Sequence, residues 1–300
     1  MFEELLGNCT LCPRQCKVNR LEGRPGYCGM DSTVRVARAA LHMWEEPCIS
    51  GKKGSGAVFF SGCGLRCCFC QNRDIAIGDC GKEITVERLS EIFLELQEKG
   101  AANLNLVTGA HYVPQIVQAL EMAKGKGFRL PVVYNSSGYE QVGTLRMLEG
   151  YVDVYLPDMK YADGKLAADF SHAEDYPLVA KAAIAEMVRQ TGSCEFGEDG
   201  YIQKGTIIRH LILPGHTRNS IAVLDYLHRT YGNKVFISVM NQYTPVWQQE
   251  KYPELNRKVT RREYEKVLDA AVELGIENGY FQEGETAKES FIPAFDYEGV

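Results

Sequence analysis

Residues 62–72 read GCGLRCCFCQN and place four cysteines within eight positions. Thiols that serve only packing scatter through a core, so this crowding points to a metal. Cys63, Cys67 and Cys70 stand as C-x3-C-x2-C. Three thiolates on a tight loop suit three irons of a cubane cluster and leave the fourth iron open to a substrate or cofactor. A purely electron-transferring cluster normally takes four cysteines. A structural zinc wants a closed set of four ligands, and the loop has no obvious fourth. Cys68 permits another register and is read as a buried non-ligand.

Outward from the loop, runs of apolar and β-branched residues recur at 57–63, 103–109, 131–137, 152–159, 206–214 and 235–241. They are nearly continuous, as in parallel strands covered on both faces. Amphipathic stretches lie between them. After Thr85 as a cap, Leu89, Ile92, Phe93 and Leu96 share one face, and Gly100 ends the helix. Helices are expected over 113–124, 139–149, parts of 165–190 and 218–230. A capping box, Thr260 to Glu263, opens one more. Six βα units predict an α/β fold, either a TIM-like barrel, whole or partial, or an open doubly wound sheet. In both, ligand groups gather at the C-terminal ends of the strands. The cysteine loop follows the first of them directly.

Ahead of that strand, Cys9-x2-Cys12-x3-Cys16-x11-Cys28 puts four thiols in twenty residues of a segment too small for its own core. A closed metal staple is expected, and zinc or a second, fully ligated iron–sulfur cluster both fit. The expected layout is a cysteine-rich extension over 1–50, with a strand or hairpin at 34–44, a (β/α)6 core over 51–245, and a C-terminal helix and tail over 246–300. The tail, FIPAFDYEGV, is expected to pack on the barrel. In HMWEEPCISGKKGSG (42–56), Glu45, Glu46 and Cys48 are candidates for the barrel mouth; the plainer alternative is a solvated acidic pair and a buried cysteine. His210 reads as a core histidine. Arg209 reads as the partner of an interior Asp or of a bound carboxylate.

Lys and Arg number 33 against 39 Asp and Glu, a net charge of −6, with no dense basic tract, which argues against a nucleic-acid partner. No apolar run approaches the roughly 20 residues of a membrane span, and the first residues lack the pattern of a secretory signal. A cytoplasmic location is expected. There, eleven cysteines are read as metal ligands or core residues, not as disulfides.

SGCGLRCCFCQN (61–72) resembles the signature loop of the radical S-adenosylmethionine (SAM) superfamily, including the aromatic Phe69 before the last cysteine. The resemblance spans most of 55–245 and is closest to pyruvate formate-lyase activating enzyme and related uncharacterised iron–sulfur proteins. It implies a partial (β/α)6 TIM-like barrel, with Cys63, Cys67 and Cys70 holding a [4Fe–4S] cluster. TGAHYVPQ (108–115) stands where the family's glycine-rich segment receives the SAM amino group. That implicates Thr108 and Gly109, with His111 where an acidic residue is common. NSSG (135–138) resembles the motif near the ribose, giving Asn135 and Ser137. PDMK (157–160) resembles the Asp-x-Lys that brings Lys160 to the SAM carboxylate, held by Asp158. MNQY (240–243) puts Gln242 near the nucleoside. Glu45, Cys48, His111 and Arg209 remain as substrate-side candidates.

The activity implied is reductive cleavage of SAM to methionine and a 5′-deoxyadenosyl radical, which abstracts a hydrogen atom. The electron comes from a donor such as flavodoxin or ferredoxin. The substrate implied is a glycine of a glycyl radical enzyme. A small molecule or peptide is an alternative substrate, and an iron–sulfur electron-transfer protein is a reading from another class. The four cysteines in front of the loop depart from the family pattern, where auxiliary clusters follow it.

Overall fold

The computed structural model describes residues 2–282 and 293–300. Ten strands run in chain order: β1 (Val34–His42), β2 (Ser55–Phe60), β3 (Lys82–Ile84), β4 (Leu104–Val107), β5 (Val132–Ser136), β6 (Val154–Pro157), β7 (Glu195–Phe196), β8 (Ile202–Leu211), β9 (Phe236–Met240) and β10 (Gly279–Phe281). The main path is β10-β9-β8-β6-β5-β4-β2-β1-β3, with β7 paired to β8. From β2 to β10 every neighbour along this path is parallel. A parallel sheet whose strands follow each other in chain order, with a helix after most of them, is a TIM-like barrel wall. Here the wall is open, a partial barrel.

The six expected strands are all present, and β10 adds a seventh parallel one. β2, β4, β5 and β6 are buried along their whole length, which is why their apolar runs lack alternation. The helix Val86–Glu98 is capped by Thr85, whose Oγ1 accepts from the Arg88 N–H at 3.1 Å, and buries Leu89, Ile92, Phe93 and Leu96. Arg261–Leu274 opens with the Thr260–Glu263 capping box and closes at Gly275, in the left-handed region. No helix among the described residues is long and apolar enough to cross a membrane.

Residues 34–42, expected within the N-terminal extension, form β1 of the main sheet, antiparallel to β2 and to β3. The cluster that extension forms by itself holds Leu6, Cys9 and Leu11, with Leu5 and Val18 against them. Five apolar side chains cannot hold a fold alone. Cys28 and Met30 join the barrel core, and polar contacts tie the segment further: Arg14 donates to Gly64 O (2.7 Å) and Ser171 O (3.1 Å), and Thr144 Oγ1 to Leu11 O (2.8 Å). Of the expected C-terminal tail, 291 and 292 lie outside the described residues. Residues 293–300 run beside β1, where the Ala39 N–H donates to Glu298 O at 2.8 Å.

Candidate functional site

The strand ends converge on one cavity of about 230 Å³. Cys63, Cys67 and Cys70 line it from the loop after β2. Thr108 enters from β4, Asn135 and Ser137 from β5, Asp158 and Lys160 from β6, Arg209 from β8 and Gln242 from beyond β9. Phe59, Phe60, Leu65 and Ile75 form the apolar part of the wall. Thr108, a β-branched residue, sits at φ 62. Such backbone persists where the surrounding structure dictates it, often at functional sites.

The loop is fixed from behind. Ser171 Oγ donates to Cys67 Sγ at 3.0 Å, and the Leu65 N–H lies 3.4 Å from Cys63 Sγ. Trp247 Nε1 donates to Cys70 O at 3.0 Å, and Gln249 Nε2 to Cys68 O at 2.7 Å. Burial pushes the Cys70 thiol up to about 12, and also raises Cys67. Lys160 opposes the shift at both, and iron bound there would stabilise the thiolates further. Three thiols opening onto one cavity suit a cluster with an open iron better than a closed four-ligand zinc site.

Beside the thiols lies a buried charge network. Arg209 donates to Asp158 Oδ1 (3.0 Å), Glu45 Oε2 (3.1 Å) and Asn135 Oδ1 (2.6 Å). Asn135 Nδ2 and Asn105 Nδ2 donate to Glu45 Oε1 at 3.1 and 3.3 Å. Lys160 Nζ donates to Asp158 Oδ2 at 2.5 Å. Burial alone would raise Asp158, but Lys160 and Arg209 hold its carboxyl below the usual value. Burial raises Glu45, against the opposing pull of Arg209. Lys160 has two donors left after Asp158, aimed at a cavity with no other cation but Arg209 among its described lining residues. A carboxylate ligand fits that place.

Gly138 makes the network possible. Its φ is 76, and a Cβ there would stand 2.1 Å from Asp158 O, so only glycine lets β5 and β6 close so tightly. The Tyr176 hydroxyl completes the corner, 2.8 Å from Ser137 O and 2.9 Å from Asp158 O.

Four sequence candidates face elsewhere. Phe69 is buried behind the loop, edge-on to Phe170 and Tyr243. Gly109 packs over Ile116. His111 is buried with Nε2 2.7 Å from Ser61 O, and burial lowers it to about 3. Cys48 lies in a core cluster with Ile49. Cys68 is half-buried and does not line the cavity. His210 is a core histidine, held by Met159 O (2.7 Å) and Ser220 Oγ (2.9 Å). Sequence reasoning missed His42, Trp44, Gln71 and Asn72 as lining residues. The signal for the last two was their position directly after Cys70.

One buried carboxyl near this corner gives a pH prediction. Glu140 accepts from Ser136 Oγ at 2.7 Å, and burial pushes it up from 4.5 to about 7. A raised acid is favoured in its protonated form by folding, so its contribution is full below pH 4.5 and is lost as pH rises to about 7. Glu140→Gln is expected to flatten stability over that window and to gain on the order of 2–3 kcal/mol at pH 8. Urea unfolding at pH 4.5, 6 and 8 checks this; an unchanged slope would contradict it.

Residues 49–166 match a family described as a 4Fe-4S single cluster domain. An uncharacterised protein of Methanocaldococcus jannaschii is 28% identical over 283 residues, 92% of this chain and 77% of that one. The pyruvate formate-lyase-activating enzyme of Clostridium pasteurianum is 29% identical over 111 residues, 35% of this chain and 45% of the enzyme. The crystal structure of Streptococcus suis SuiB bound to S-adenosylmethionine shares the fold at a TM-score of 0.50 and 15% identity, over 75% of this chain. The chain spans about half of SuiB, 49%. The chain thus carries a segment similar to a 4Fe-4S single cluster domain and shares the fold of SuiB, with the cysteine loop at the end of the first parallel strand and an open barrel wall behind it.

Proposed function

We propose that this protein cleaves SAM reductively and uses the resulting radical to take a hydrogen atom from a glycine Cα of a partner enzyme, as an activating enzyme does. A [4Fe–4S] cluster and SAM are its cofactors. When bound, they supply a one-electron cleavage that yields methionine and a 5′-deoxyadenosyl radical. The observation that carries the reading is the opening of Cys63, Cys67 and Cys70 onto the same cavity as the polar ends of β4, β5, β6 and β8.

The chain's own residues position and shield. Cys63, Cys67 and Cys70 hold three irons. Lys160 meets the SAM carboxylate while Asp158 and Arg209 fix its ammonium. Asn135 and Ser137 lie at the ribose, Thr108 near the amino group and Gln242 at the nucleoside. Phe59, Phe60, Leu65 and Ile75 keep water from the reacting atoms. The protein substrate is supported by the likeness to an activating enzyme and by Trp44, which lines the cavity and leaves 59% of its surface exposed. The electron comes from a flavodoxin- or ferredoxin-type donor.

The test is anaerobic: reconstitute with iron and sulfide, reduce with dithionite, add SAM and a candidate glycyl radical enzyme. The expected result is 5′-deoxyadenosine by chromatography and an organic radical on the partner by EPR. 5′-Deoxyadenosine without the partner radical would overturn the substrate assignment. A reducible cluster that never cleaves SAM would overturn the enzyme reading and favour electron transfer.

A further inference from the structure

We infer that Cys9, Cys12, Cys16 and Cys28 hold a second iron–sulfur cluster, placed to pass electrons to the central cysteine loop. The four thiols are near enough that Cys9, Cys16 and Cys28 each act on Cys12 through their charge. They sit around Gly26, whose Cβ, if present, would stand 3.5 Å from Cys16 Sγ and 3.6 Å from Cys28 Sγ. The Tyr27 N–H donates to Cys16 Sγ at 3.1 Å, the kind of N–H···S contact that tunes clusters.

Arg20 gives an independent sign of negative charge. Its side chain is fully buried and meets no carboxylate among the described residues. It donates to Asp31 O (3.0 Å) and His111 O (2.6 Å), and its Nη1 stands 4.0 Å from Cys9 Sγ. A buried guanidinium needs an anion, and thiolates bound to metal supply it. A closed set of four thiols suits one sulfur for each iron of a cubane, and zinc in the same place is the outcome the test below must exclude.

Position separates a cluster from a mere staple. A Cβ on Gly64, the residue after Cys63, would stand 3.7 Å from Cys12 Sγ. Cys12, Cys28 and Cys63 line one cavity of about 20 Å³. The two cysteine sets thus share a wall one residue thick. In the transfer, a flavodoxin- or ferredoxin-type donor loses one electron and the central site gains it. The N-terminal cluster is reduced and reoxidised in passing, and no bond is made or broken. The transfer rests on the proposed function above; the metal site does not.

The experiment uses the full chain, reconstituted anaerobically, with iron, sulfide and zinc counted on each sample. The wild type is expected to hold about eight irons, as two [4Fe–4S] clusters. The variant Cys63→Ala/Cys67→Ala/Cys70→Ala is expected to keep about four, with an EPR signal on reduction that SAM does not alter. Zinc without iron and sulfide in that variant would overturn the site, whatever the central site does. For the transfer, Cys12→Ser is followed by stopped-flow reduction with reduced flavodoxin, and the central cluster is expected to reduce at least tenfold more slowly. An unchanged rate in a protein whose N-terminal iron is gone would overturn the transfer. Circular dichroism shows whether Cys12→Ser folds; if it does not, Cys16→Ser takes its place.

Discussion

Cys63→Ala is expected to strip iron from the central site and reduce 5′-deoxyadenosine formation to the uncatalysed background, a loss of at least roughly 10⁶-fold. The effect is this large because the cofactor, not a side chain, carries the bond cleavage. With one thiolate missing, the loop holds two ligands where a site-open cluster needs three. Cys68→Ala is the internal control. Its side chain does not line the cavity, and its backbone N–H is already engaged by Phe170 O at 2.8 Å. Iron content and turnover of Cys68→Ala should stay within about twofold of wild type. A dead Cys68→Ala would mean that the register is wrong and that Cys68 is a ligand.

Arg209→Met is expected to have the largest effect on stability. The guanidinium joins Glu45 before β2, Asn135 in β5 and Asp158 after β6, and all three lose it at once. Removing one partner of a buried ionic set costs about 3–5 kcal/mol, because the remaining charges stay desolvated. For a chain of this size that corresponds to a Tm lower by roughly 10 °C. The pH dependence follows from Glu45, which burial already raises. Without Arg209 it rises further, so protonation of Glu45 relieves more of the deficit as pH falls. The deficit should therefore be larger at pH 8. Thermal unfolding by circular dichroism at both pH values checks this, and an equal Tm for variant and wild type would rule the network out as a stabilising element. Arg209→Lys should recover only part, since an ammonium cannot match the three-way fork.

What was legible in the sequence is what is local. The strand runs, the Thr85 cap, the Thr260–Glu263 box and the C-x3-C-x2-C loop each declare themselves within a dozen residues. The gathering of Thr108, Asn135, Asp158, Arg209 and Gln242 in one cavity follows from the rule that parallel strands end together. The residues that do not line the cavity are of another kind. Phe69, Gly109, His111 and Cys48 lie next to lining residues in sequence, but side-chain direction in a loop is set by tertiary packing, here Phe170 and Tyr243, Ile116, Ser61 and the β5–β8 core. The Glu45–Arg209 pair joins residues 164 apart, a separation that no spacing rule reaches. β10 and β7, three and two residues long, have too few side chains for a periodic signal.

The outer margin of β1 is occupied twice over. Val34–Val36 pair with β3, and the backbone at Ala37 and Ala39 is taken by Tyr297 and Glu298, with Arg38 held to Asp296 at 2.5 Å. A bare strand margin is an invitation to templated fibre growth and to strand exchange between copies. This one is closed by residues 297 and 298. At that flank the protein can be crowded to high concentration without zippering to itself.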